Sequence, residues 1–159
     1  VRHLEDPRFV PPGLYAQMAR RCRLDDGNLR IFTHHAWGGS LMYHFRGRLL
    51  PYMDARNDCF SQETFDRYDD IEHLRGDWYG KLMEDRPDGA VLRGDHPLVP
   101  ELLRRGWVPG ARWRYNRFLV APHRSRTLCR RIPGGAGAGR RSMPALDPPV
   151  SGSWKSTWK

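Results

Sequence analysis

The sequence predicts a small α/β fold: a Rossmann-like three-layer sandwich with a mostly parallel sheet. A C-terminal antiparallel hairpin closes it, and a disordered tail follows. Three observations predict this. Short apolar runs bounded by turn residues alternate with stretches of helical period. The stretch from Arg30 to Arg56 reads strand, glycine-containing loop, short helix, strand. Beyond Pro122 the apolar periodicity stops.

Residues 1–12 are polar, hold Pro7, Pro11 and Pro12, and read as a linker. The α/β domain is expected over 13–122. Its first helix spans Gly13 to Arg23, because Leu14, Met18 and Cys22 recur on one stripe. Asp25-Asp26-Gly27-Asn28 is turn chemistry. Leu29 to Thr33 is a short apolar strand. The loop His34 to Gly39 follows, then a helical turn or two from Ser40 to Phe45, stopped by Gly47. Leu49 to Met53 is the second strand, with Pro51 best suited to an edge. Strand, helix and strand in that order imply a right-handed parallel unit.

Ser61 is the N-cap of a helix with Phe65, Tyr68 and Ile71 inward and an acidic outer face. Asp77 caps another, with Trp78, Leu82 and Met83 inward. Ala90-Val91-Leu92 is a buried strand. Asp95-His96-Pro97 starts a helix whose inner face holds Leu98, Leu102 and Leu103, ending at Gly106. Ala111 to Tyr115 and Phe118 to Val120 form the closing hairpin around a turn at Asn116-Arg117. Residues 123–159, with a Gly/Ala run at 134–139 and several prolines, read as a disordered tail.

The net charge of +9 is unevenly placed. Residues 1–121 carry 19 Lys/Arg against 17 Asp/Glu; residues 122–159 carry 8 against 1. The body is therefore nearly neutral. Twenty-four of the 27 basic residues are Arg, a skew that codon composition produces as readily as function. Nucleic-acid binding is discounted for the body and kept for the tail alone. Cys22, Cys59 and Cys129 are odd in number and widely spaced, with no C-x-x-C, so no disulfide framework or zinc pattern is expected. No apolar run is long enough to span a bilayer, and the first residues are charged rather than signal-like. The start at Val1 hints at a piece of a longer chain.

The candidate binding residues are His35, Trp37, Gly38, Gly39, Asp54 and Arg56. In open α/β sheets ligands bind beyond the carboxyl ends of strands. Gly38 and Gly39 let a backbone approach closely, and a helix start offers N–H groups to an anion. Asp54 and Arg56, an i, i+2 pair, suit a hydroxyl and an anion respectively. Each has a bland counterpart: glycines for tight packing, Trp37 as a core plug, and Asp54–Arg56 as a local ion pair. The histidines His34, His35 and His44 form no metal-ligand spacing, and no cofactor is expected. No catalytic residue is assigned. The sequence holds no convincing Ser/His/Asp or Cys/His arrangement.

The run Ile31 to Met42, containing Trp37-Gly38-Gly39-Ser40-Leu41, resembles an "N-x-x-x-W-G-G-Y-L-I-W" segment. That segment belongs to C-terminal extracytoplasmic domains of bacterial polytopic glycosyltransferase-C-like membrane proteins, which include protein mannosyltransferase-like members. Met53-Asp54-Ala55-Arg56 resembles their "D-G-R", and Phe65 to Tyr68 their "F-x-x-Y". Asp77 to Met83, Gly89 to Leu98 and Trp113 to Val120 are similar to later segments in the same order. The likeness covers about Pro11 to Pro122. Departures are Thr33 or His34 for Asn, Ser40 for Tyr and Ala55 for Gly. The resemblance implies a non-catalytic domain at the extracytoplasmic face of the cell membrane. It would pack on the transmembrane portion of a parent or partner protein and help position a glycan or peptide acceptor. In that family the catalytic carboxylate lies between membrane helices and the donor is a polyprenyl-phosphate sugar. Two other readings stay open: a stand-alone cytoplasmic module for a phosphate-bearing small molecule, and a nucleic-acid binder acting through the tail.

Overall fold

The computed structural model describes residues 12–25, 27–54 and 56–130. Residues 1–11 of the expected linker and most of the expected tail lie outside the described residues; Pro12 opens the first helix rather than ending a linker. Along the chain come α1 (Pro12–Arg21), β1 (Leu29–Thr33), α2 (His35–His44), β2 (Leu49–Pro51), a 3-10 turn (Asn57–Cys59), α3 (Gln62–Glu72) and α4 (Trp78–Glu84). Then follow β3 (Gly89–Arg93), α5 (Leu98–Arg104), β4 (Val108–Trp113), β5 (Asn116–Val120) and a last 3-10 turn (Pro122–Arg124).

The fold is the expected α/β sandwich. One sheet has the strand order β2-β1-β3-β5-β4. β1 pairs in parallel with β2 and β3, and β5 pairs antiparallel with β3 and β4. Four of the five strands therefore point one way. Successive strand residues face opposite layers. Leu29, Ile31, Val91 and Phe118 meet α1 and α2 on one face through Leu14, Met18, Trp37 and Leu41. Phe32, Ala90, Leu92 and Leu119 meet α3, α4 and α5 on the other through Tyr68, Ile71, Leu82, Leu98 and Leu102.

Four expectations change. His34 to Gly39 is not a loop: the helix begins at His35, so Trp37, Gly38 and Gly39 lie in its first turns. The hairpin turn is Arg114-Tyr115, not Asn116-Arg117; Asn116 opens β5 opposite Trp113. Arg114 takes the left-handed backbone (φ 48°) that a two-residue turn requires. Leu103 is 41% exposed, and Val99 takes the inner place beside Leu98 and Leu102.

The fourth change is covalent. Cys22 and Cys129 form a disulfide across a sequence separation of 107. The same contact carries a small antiparallel bridge, with Arg23 N donating to Leu128 O (2.7 Å) and Arg130 N to Arg21 O (2.8 Å). Leu128 is buried in the α1 layer, so the folded unit continues past Pro122 to the end of the described chain. Spacing alone cannot reveal such a pair, because the sheet topology brings the two ends together.

Gly38 explains how α2 sits. A Cβ there would strike the Met53 carbonyl oxygen and lie 2.9 Å from Asp54 Cα. The helix thus lies directly on the chain leaving β2. At Gly39 a Cβ would meet nothing within 4 Å. Gly38→Ala is therefore expected to destabilise by about 1–3 kcal/mol through overpacking. Gly39→Ala is expected to stabilise by about 0.5–1 kcal/mol, as Ala for Gly does in an open helix position. Urea melts of the two variants check this; equal effects would contradict the packing role of Gly38.

Candidate functional site

The strand order reverses at β1. The chain leaves β1 for α2 on one face, and leaves β3 for α5 on the other. The crevice beyond the carboxyl ends of β1 and β3 is therefore the switch point where ligands bind in such sheets.

Two histidines occupy equivalent places there. His34 follows β1, and its Nδ1 accepts from Ala36 N at 3.2 Å. His96 follows β3, and its Nδ1 accepts from Leu98 N at 3.1 Å. His34 is the N-cap of α2, whereas His96 stands one residue before Pro97, the N-cap of α5, and takes the first helical amide from there. A neutral ring whose Nδ1 accepts carries its proton on Nε2. Such a ring has no Nε2 lone pair to give a metal. Burial lowers the His34 pKa to about 4, with His35 and His96 adding repulsion. Burial likewise lowers His96 to about 4; Asp95 opposes this, while His73 and Arg93 add to it. His35 is shifted down too, by burial. Its ring centroid lies 4.4 Å from that of His34.

The third layer reaches in through α3. The buried Tyr68 hydroxyl accepts from His35 N at 3.2 Å and sits 3.4 Å from both Thr33 O and Glu72 Oε1. Burial, then Glu72, pushes its pKa well above the ordinary tyrosine value. Burial raises the Glu72 carboxyl, whose Oε1 is 4.0 Å from His96 Nε2. The Thr33 hydroxyl is buried without a hydrogen-bond partner among the described residues. The strand ends are thus surrounded by hydrogen-bonding groups that burial shifts toward their neutral forms.

The sequence candidates divide accordingly. Trp37 is a core side chain, and Gly38 and Asp54 are packed against each other. Asp54 is buried and held by Arg56, with bonds of 2.9 Å from N, 2.9 Å from Nε and 2.6 Å from Nη2. That pairing outweighs burial and lowers the Asp54 pKa. Arg56 is otherwise exposed. Of the six, His35 stands at the crevice. Tyr68, Glu72 and His96 are not among the sequence candidates, and His34 enters the sequence reading only through the 34–39 loop and as a discounted metal ligand. The available signal was the repeat of strand, His, helix at His34 and at His96.

The anion-binding reading of the α2 start loses its donors. His35 N is taken by Tyr68, Ala36 N by His34 Nδ1, and Trp37 N by His34 O at 2.9 Å. His44 lies at the far end of α2, with its ring 4.6 Å from Tyr15. Among the described residues, Asp69, Glu72 and His73 bring ligand-type atoms within 4.8 Å of one another. Asp69 there is already held by Arg75 (2.5 Å) and His73 (3.0 Å). The chain matches no protein-family model, no curated protein and no solved structure.

Because the folded pKa of His34 and His96 lies below the unfolded value near 6.5, the unfolded chain binds protons that the native state refuses. Stability is expected to fall as pH drops from about 6.5 to about 4. His35 adds to this and Glu72 opposes it. Asp54 and Asp70, both held low, lose their contribution only below that window. In the His34→Asn, His96→Asn double variant an amide oxygen keeps the capping acceptor and the titration is gone. Thermal melts from pH 7 to pH 4.5 should show a flatter decline than wild type. Parallel curves would contradict the assignment.

Proposed function

We propose that this α/β unit is a non-catalytic extracytoplasmic domain of a membrane glycosyltransferase-like protein, helping to position an acceptor. The observation that carries the reading is the Cys22–Cys129 disulfide. Such bridges form and persist mainly in oxidising compartments. Two segments that carry the resemblance also make one structural unit. The Trp37-Gly38-Gly39 turn rests on Met53-Asp54, and Asp54 is held by Arg56.

Within this reading the motif residues are scaffold. Acceptor contact falls to His35, His96 and Glu72 at the crevice, with Arg56 exposed nearby. Neutral imidazoles and a carboxyl shifted up by burial suit the hydroxyls and amides of a glycan or peptide better than a phosphate. The transfer chemistry itself belongs, in the family resembled, to a carboxylate between membrane helices. No described helix is long and apolar enough to cross a membrane. The membrane portion would come from elsewhere in the parent or from a partner.

Fractionation of native cells with an antibody to the domain tests the location. The domain is expected in the membrane fraction, with Cys22 and Cys129 protected from alkylation until reduced. A cytosolic band with both thiols free would overturn the reading. In vitro, closing a loop of this length is worth about 4–5 kcal/mol by chain entropy. Reduction should therefore lower the melting temperature sharply, while Cys59→Ser should leave it unchanged. Cys59 is an exposed free thiol.

A further inference from the structure

We propose that the tip of the β4–β5 hairpin is an anchoring surface for an anionic phospholipid bilayer. The tip spans Arg112 to Arg117 and holds three arginines, one tryptophan, one tyrosine and no carboxylate. Arg112 and Arg117 stand directly opposite each other in the antiparallel ladder. Like charges so placed repel and destabilise a sheet. Burial, then Arg112, lowers the Arg117 pKa. Arg117 donates to the carbonyls of Arg114 and Asn116 (2.7 and 3.0 Å). None of the three guanidinium groups has a carboxylate partner among the described residues. An anionic surface supplies the charge that the protein withholds.

The placing of the side chains selects the kind of surface. Arg112 and Arg117 share one face of the ribbon. Trp113 lies on the other, against Gly13, and is 37% exposed. Arg114 and Tyr115 form the apex, with Tyr115 74% exposed. Groups spread over two faces and an apex cannot enclose a small anion. They can enter a flat headgroup layer end-on. Trp and Tyr rings settle at that depth, and arginines pair with lipid phosphates. Edge protection against strand pairing accounts for an arginine on edge strand β4. It does not account for Arg117 on the inner strand or Arg114 at the turn.

β4 runs in the same direction as β1 and β3, so the tip stands at the carboxyl edge of the sheet, where the crevice opens. Gly94 N donates to Tyr115 O, tying the tip to the segment that leads to His96. A bilayer engaged by the tip would therefore lie on the crevice side of the domain. The proposal uses these residues alone and does not need the family resemblance.

The test is co-sedimentation of the full chain with vesicles of one part phosphatidylglycerol to two parts phosphatidylcholine. The basic residues beyond Arg130 are the same in every variant. Arg112→Gln with Arg114→Gln should weaken binding about 25-fold, from about 5-fold per arginine. Arg112→Lys with Arg114→Lys should keep most of it. Tyr115→Ser should weaken binding several-fold with no change in melting temperature. Relief of the Arg112–Arg117 repulsion predicts that the Gln variant melts no lower than wild type. Binding of the Gln variant within twofold of wild type would overturn the proposal. So would a loss confined to a single-stranded oligonucleotide probe, which would make the tip a nucleic-acid surface.

Discussion

The close approach of α2 to the end of β2 sets the rest of the structure. With hydrogen in place of a side chain at Gly38, the helix settles on the Met53 carbonyl and the Asp54 backbone. That contact fixes where α2 can start. It puts Trp37 and Leu41 into one core and leaves His34 at the hinge between strand and helix. Asp54, buried by the same contact, is kept charged by Arg56. Tyr68 then reaches across from the opposite layer to the β1–α2 junction and takes the His35 amide. One small residue thus governs the packing of a helix, the burial of a carboxylate and the closing of a helix terminus.

The carboxyl edge that results is chemically quiet at its centre and charged at its rim. His34 and His96 are held neutral because burial disfavours the imidazolium and because an amide already occupies Nδ1. Tyr68 and Glu72 are pushed toward their neutral forms by the same burial. Along the edge, the hairpin tip gathers cations with no carboxylate partner among the described residues. The two arrangements differ in kind: hydrogen-bonding groups shifted toward their neutral forms at the strand ends, and positive charge at the hairpin tip beside them.

Much of the architecture was legible in the sequence, because apolar period and turn chemistry act locally. The caps at Ser61 and Asp77 were readable for the same reason, and both accept an amide as expected, from Thr64 N and Gly80 N. The failures have physical causes. Adjacent glycines at 38 and 39 read as loop, since their packing partner lies in another element. Asn116 drew the hairpin turn toward itself, yet the cross-strand register put Arg114 in the left-handed position instead. The disulfide joins residues 107 apart and leaves no trace in spacing. Of the candidate site, His35, Asp54 and Arg56 could be picked from the sequence, whereas Tyr68 and Glu72 arrive from a helix whose register against β1 no local pattern encodes.

Neutral imidazoles, locked by backbone amides, stand at the carboxyl ends of β1 and β3. Long-range proton–nitrogen NMR of the histidine rings reports the tautomer and the titration of each ring. His34 and His96 are expected to show an unprotonated Nδ1 and a protonated Nε2 at neutral pH, and to titrate near pH 4. Rings that carry the proton on Nδ1, or that titrate near 6.5 like a solvated histidine, would contradict this assignment.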